Sequence, residues 1–175
     1  MDNLLGNSIK FHVSVGRSCQ TFYDQVRSHK LYRYLIFYIR TDNVIDIEKI
    51  GMRRCNYEQF LDDLHKCGAG DCRFGIFDIE YACDCVGGIH SPGYHDRLLL
   101  VHWCPEGADD TKKMLYAAGL KALHQILGER QVIIKATDLA EPTLARAIEE
   151  CRALDCVPLS TQVPLVVQPH SAEAT

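Results

Sequence analysis

Apolar side chains recur along the first part of the chain as Val15, Cys19, Phe22 and Val26, spacings of four, three and four that line one face of a helix. Ser14 stands in front of them as an N-cap, and the helix is expected to end near His29. The next run, LYRYLIFYIRT at 31–41, is aromatic and β-branched with an almost unbroken apolar centre, which suits a central strand buried on both faces. VIDIEKIG alternates more and reads as its hairpin partner across a turn at Thr41, Asp42 and Asn43. Tyr57, Phe60, Leu61 and Leu64 return to helical spacing until the glycines of KCGAGD stop the helix.

Two further strands are expected at CRFGIFDIEYA, 72–82, and RLLLVHWC, 97–104, separated by Gly87, Gly88, Pro92 and Gly93. A long helix then starts at Asp109 or Asp110 and presents Leu115, Ala118, Ala122, Leu123 and Ile126 along one side, with Gly128 as its stop. QVIIKAT reads as a fifth strand, and Glu141 to Leu154 as a last helix with Pro142 in its first turn. This order of elements requires an α/β architecture of the α+β type, a mixed sheet with helices on both faces. Residues 1–12 read as a flexible N-terminal leader, 13–154 as one domain, and 155–175, with Pro158, Pro164 and Pro169, as an irregular C-terminal tail.

A chain of 175 residues with 47% apolar side chains can bury one substantial core. Its net charge of −4 leaves no basic surplus for a nucleic-acid backbone. No apolar run is long enough to span a bilayer and the start lacks a secretory pattern, so a soluble cytoplasmic protein is expected. In that setting nine cysteines, an odd number, read as free thiols rather than a disulfide framework. Cys67, Cys72, Cys83 and Cys85 with His65 and His90 invite a zinc reading, but spacings of five and two fit no closed structural site. Paired carboxylates, a Ser-His-Asp order and a phosphate-binding glycine loop are all missing from the pattern, so no catalytic residue, metal or cofactor is expected and the protein reads as a non-enzyme. A thiol-based redox or zinc-binding protein is the alternative from a different class, resting on the cysteine count.

Five segments, RYLIFYI, DCRFGIFDIEY, LLLVHWCPE, KKMLYAAGLKAL and IIKATDLAE, stand in an order and spacing that resemble the actin-depolymerising factor/cofilin family over residues 13 to about 154. The resemblance implies the ADF-homology fold, a central five-stranded mixed sheet flanked by helices on both faces. It also implies a monomeric protein of the cytoplasm and cytoskeleton, with the nucleus as a second location. Such a protein binds monomeric and filamentous actin, prefers the ADP form, and promotes depolymerisation and severing without covalent chemistry. Carried over by position, the surface for monomers and filaments comprises Val13, Lys112, Lys113, Met114, Leu115 and Glu141, and the filament-specific surface comprises His95, Arg97, Glu149 and Arg152. Met114 and Leu115 would act as apolar anchors and the two lysines would meet an acidic partner. Acidic phosphoinositides are the secondary partner that the resemblance implies.

Several positions depart from the family pattern. Phe11 stands where the family carries its regulatory phosphoserine, and His12 replaces the glycine that follows it. Asp109, Asp110 and Thr111 precede the long helix where relatives have apolar or basic residues, and Glu150 and Ala153 replace basic residues of the last helix. Carboxylates at these places favour a helix start but repel an acidic partner, so the expectation is a divergent member with weakened severing. A relative that binds actin without severing is the nearer alternative.

Overall fold

A computed structural model describes residues 10–83, 93–128 and 130–155. The elements run β1 (Ser14–Val15), α1 (Arg17–Arg27), β2 (Tyr32–Ile39), β3 (Val44–Met52), α2 (Tyr57–His65), β4 (Arg73–Cys83), β5 (Gly93–Trp103), α3 (Asp110–Leu127), β6 (Gln131–Ala136) and α4 (Leu144–Asp155). The strands form one mixed sheet in the order β1-β3-β2-β4-β5-β6. The expected five strands are therefore six among the described residues, the addition being the two-residue β1 at the sheet edge. Most of the leader, 1–9, and the tail from 156 onward lie outside the described residues.

Strand alternation divides the core into two layers. Leu35, Phe37, Phe74, Ile76, Leu98 and Leu100 point to the face covered by α1 and α3, where they meet Cys19, Tyr23, Val26, Tyr116 and Leu123. Tyr34, Ile36, Phe77, Ile79, Leu99, Val101 and Trp103 point to the other face, where α2 contributes Phe60 and Leu64 and α4 contributes Ala147 and Cys151. Because both faces are covered, the central strand β2 buries four consecutive residues, Tyr34 to Phe37, as its unbroken apolar run requires.

Ser14 does not cap α1. Its backbone N–H donates to Asn43 O at 3.1 Å and that of Gly16 to Ile45 O at 2.8 Å, so the segment is drawn out as an edge strand parallel to β3. The helix starts after Gly16, without a side-chain cap, and its buried stripe is Cys19, Tyr23 and Val26, with Phe22 at its margin. The β2–β3 hairpin turns where expected, with Asn43 in the left-handed region at φ 61° and its N–H bonded to Arg40 O. A reciprocal capping box between Asn56 and Gln59 starts α2.

Strand β5 begins earlier than its apolar run, at Gly93, and pairs with β4 without interruption from Cys83↔Gly93 to Arg73↔Trp103. His95, ahead of the expected strand, accordingly lies within it together with Arg97. On α3 the buried stripe is Tyr116, Gly119, Leu123 and Leu127, rotated from the expected side; Ile126 is 52% exposed. Gly119 explains the rotation. A Cβ there would stand 2.8 Å from Ile39 and 3.1 Å from the Phe74 ring, so the helix lies closest to the sheet at a residue with no apolar side chain. The last helix begins at Leu144, where the N–H of Arg146 bonds to Thr143 Oγ1, and not at Glu141. Pro142 lies buried ahead of it, and its carbonyl accepts the Tyr57 hydroxyl at 2.8 Å, which joins this loop to α2.

Candidate functional site

The start of α3 is fixed by Asp109, whose carboxylate accepts the Lys112 N–H at 2.8 Å, a capping bond at the positive end of the helix dipole. From this turn Lys112 reaches back to Asp71 at 3.1 Å, and Lys113 donates to Glu106 O at 3.0 Å. Each lysine is thus steered by a loop oxygen, yet their side chains remain 34% and 37% exposed. Met114 points outward, 46% exposed, while Leu115 is half-buried on the flank between the outer face and the core. Leu115, Ala118, Ala122 and Ile126 share that flank, so the side expected to be core is an apolar strip at the helix margin.

Val13 packs at the edge of the α1 and α3 core layer, and β1, which follows it, lies beside α3. Phe11 is half-buried and His12 exposed in the same approach. Glu141 belongs to the loop between β6 and α4. Its carboxylate accepts the backbone N–H of Thr137 at 2.5 Å and the Thr137 hydroxyl at 3.1 Å, and these bonds hold it below the usual carboxylate range. Residues 137–139 of that loop face residues 105–107, the approach to α3, across a cleft of about 500 Å³. Trp103 and His65 line it, their rings 4.3 Å apart; among the described residues, Trp103 Nε1 and His65 Nε2 are buried without a hydrogen-bond partner. Leu139 on the rim is 65% exposed. Sequence reasoning missed Leu139, Asp71 and Glu106. A leucine between Asp138 and Ala140 in a loop without apolar period was the one available signal.

The second set of residues has a different setting. Arg97 donates from Nε to Asp155 Oδ1 at 3.0 Å and also from Nη2, while the Tyr81 hydroxyl donates to Asp155 Oδ2. The carboxylate of Asp155 is 2% exposed, so the bonds to it raise the Arg97 pKa further, and burial followed by the same carboxylate pushes the Tyr81 phenol up. Arg152 donates from both Nε and Nη2 to Ala82 O, at 3.0 and 2.9 Å, and so covers the end of β4. His95 is half-buried with its ring 6.2 Å from that of Tyr81. Glu149 is exposed, and neighbouring Glu150 stands 4.0 Å from Arg146 one turn back. Next to this cluster, Asp96 takes Lys30 at 2.7 Å, and Lys30 also binds the wholly buried Asp78 together with Arg53. Tyr94, 89% exposed beside His95, is a residue that the sequence pattern did not single out.

The structure therefore assembles the α3 turn, Val13 and the 137–141 loop around one end of the domain, and brings His95, Arg97 and Arg152 together where β4, β5 and α4 meet. Of the residues in the zinc reading, Cys85 and His90 lie outside the described residues. Among the described residues no group of three or more His, Cys, Asp or Glu side chains is placed to hold a metal ion, and no helix is long and apolar enough to cross a membrane.

Residues 12–152 match the profile of the cofilin/tropomyosin-type actin-binding proteins. The chain belongs to this family. An Entamoeba histolytica actophorin is 30% identical over 128 residues, covering 73% of this chain and 85% of its own. Actin-depolymerizing factor 2, isoform c, of Caenorhabditis elegans is 27% identical over 133 residues, covering 74% and 87%. Among solved structures, Streptomyces griseoflavus cofilin superposes with a TM-score of 0.68 at 27% identity, covering 81% of this chain and 98% of that one. The ADF/cofilin of Trypanosoma brucei gives 0.65 at 27%, covering 82% and 97%. At these identities the chain is a divergent cofilin-family member, and the resemblance carried by its five segments holds in both sequence and fold.

Proposed function

We propose that this chain binds ADP-loaded actin monomers through the first turns of α3, with Met114 as the apolar anchor, Lys112 and Lys113 beside it, and Val13, Leu115 and Glu141 at the border. It binds filaments through His95, Arg97, Glu149 and Arg152 less firmly, so that it promotes subunit loss with little severing. The observation that carries this reading is Met114, a long flexible apolar side chain held out to solvent directly after two tethered lysines on a member of an actin-binding family. An outward methionine costs apolar exposure in the free protein and suits insertion into a partner's groove. Weak severing is supported by Arg97 and Arg152, which turn their Nε and Nη2 donors inward to Asp155 and Ala82 O, and by Glu150, an exposed carboxylate beside the filament residue Glu149.

The second reading, binding without any severing, rests on the same internal pairing taken to its limit. Labelled actin in a polymerisation assay at several protein concentrations, followed by imaging of single filaments, separates the two. Faster subunit loss with rare breaks supports the first, breaks absent at saturating decoration support the second, and an unaltered polymerisation curve contradicts both. Phe11 in place of a phosphorylatable residue implies that the family's phosphorylation switch is absent. The paired lysines offer a basic patch for acidic phosphoinositides, whose binding would then compete with actin. A monomer of the cytoplasm and cytoskeleton, with access to the nucleus, is the setting this function implies.

A further inference from the structure

Cys72 and Cys104 flank the paired ends of β4 and β5, one step beyond the Arg73↔Trp103 pair, and so face each other across the sheet. Residues opposite each other on antiparallel strands have Cα atoms about 4.5–5.5 Å apart, within the range of about 4.4–6.8 Å that a disulfide spans. The Cys72 thiol donates to Cys104 Sγ at 3.3 Å, so the two sulfurs are already in contact. Cys72 is completely buried, whereas Cys104 is half-buried at the margin of the same core layer.

We propose that Cys72 and Cys104 are a peroxide-sensitive dithiol that closes to an intramolecular disulfide and thereby weakens actin binding at the α3 turn. The second half of this rests on the function proposed above. The Cys104 thiolate attacks one oxygen of hydrogen peroxide, forming a sulfenic acid and releasing hydroxide, which leaves as water after taking up the Cys104 proton. The Cys72 sulfur then attacks the sulfenic sulfur. Hydroxide is expelled and departs as water with the Cys72 proton. Two thiols are oxidised by two electrons in total, and one peroxide is reduced to two waters.

The order of attack follows from the surroundings. Burial, and then the contact with Cys104, push the Cys72 thiol well above its usual range, so Cys72 is the resolving sulfur and the more accessible Cys104 the first to react. The link to α3 is direct in sequence. Asp71, which holds Lys112, precedes Cys72, and Glu106, whose carbonyl holds Lys113, follows Cys104 by two residues. Bond formation draws sulfurs 3.3 Å apart to about 2.05 Å and shifts both tethers together.

The test treats the full chain with hydrogen peroxide and maps its peptides under non-reducing conditions, alongside Cys104→Ser and Cys72→Ser. A peptide linked through Cys72 and Cys104 is expected in the parent chain, lost on adding dithiothreitol and absent from both variants. Linkage of other cysteines, intermolecular bonds, or a Cys104 that proceeds to sulfinic acid would overturn the dithiol. In the functional arm, oxidised protein should bind ADP-actin monomers at least roughly threefold more weakly than reduced protein, with oxidised Cys104→Ser unaffected. A linked peptide with unchanged affinity would overturn the coupling to α3. Reduced protein that fails to bind actin at all would overturn the functional reading, while the linked peptide still decides the thiol chemistry.

Discussion

The two ends of this domain carry their charges in opposite ways. At the α3 turn, Lys112 and Lys113 are each held by a loop oxygen but keep a third or more of their side chains in water, around an outward Met114. Where β4, β5 and α4 meet, Arg97 is clamped to a carboxylate that is 2% exposed and Arg152 closes the end of a strand. A cation whose partner is buried serves the fold first, because withdrawing it leaves an unpaired charge in a low-dielectric site. A cation tethered at the surface costs little to redirect, since exposed pairs contribute at most about 1 kcal/mol. Two groups of residues that look alike in sequence as basic and polar surface positions therefore differ in what they can offer a partner.

The sharpest way to break this contrast is to remove Arg97. Arg97→Ala takes the guanidinium away from the buried Asp155 carboxylate and leaves it the Tyr81 hydroxyl, and unfolding by denaturant should show a loss of about 2–4 kcal/mol, toward the lower end because the guanidinium is itself partly exposed. A change below about 0.5 kcal/mol, the range of ordinary surface substitutions, would return Arg97 to the class of free surface cations.

Acid should act on the α3 side of the sheet. His102 shares that face with Phe74, their rings stacked 5.3 Å apart, and burial, assisted by the charge of Lys135, lowers its pKa to about 4. Above pH of about 6.5 the imidazole is neutral in the folded and unfolded chain alike. Between about 6.5 and about 4 the unfolded chain takes up a proton that the folded chain refuses, so stability falls as pH falls across that window, by about 3 kcal/mol at full titration. His65 is lowered by burial too and contributes with the same sign on the opposite face. His102→Leu should flatten the acid limb of a stability profile measured between those pH values, and an unchanged slope would show that His102 is not the group responsible.

At the α3 turn the expected losses are in binding. Lys112→Glu combined with Lys113→Glu should weaken monomer binding by about tenfold or more, about 1.4 kcal/mol, with a thermal midpoint shifted by only a few degrees. Met114→Ala should weaken it by roughly fivefold with no loss of stability, because its side chain is 46% exposed in the free protein. Smallest of all, Arg152→Ala gives up two bonds to one exposed-side carbonyl, and a loss of about 1 kcal/mol or less in stability should accompany a minor change in filament binding.

Much of the fold could be read from local pattern. The apolar run of β2, the turn at Asn43 and the spacing of Tyr57, Phe60 and Leu64 are decided by residues close in sequence, and each element stands within a few residues of its expected place. What escaped was decided by distant partners. Ser14 looks like a cap until Asn43 and Ile45 supply an edge for it to pair with. The face of α3 was misjudged because Gly119 carries no hydrophobic signal yet marks the closest approach to Ile39 and Phe74. Within the candidate site, family resemblance pointed to Lys112, Lys113 and Met114, but nothing in local sequence announces that Asp71 and Glu106 hold the lysines, or that Arg97 pairs with Asp155, 58 residues away.

The central claim is that the α3 turn, and not the junction of β4, β5 and α4, is the surface presented to an actin monomer. Hydrogen exchange of the chain with and without saturating ADP-actin monomers measures this most directly. Slowed exchange over residues 11–15, 110–116 and 137–141, with no change over 94–97 and 150–155, is the predicted result. Protection confined to 94–97 and 150–155, or to neither region, would contradict the account.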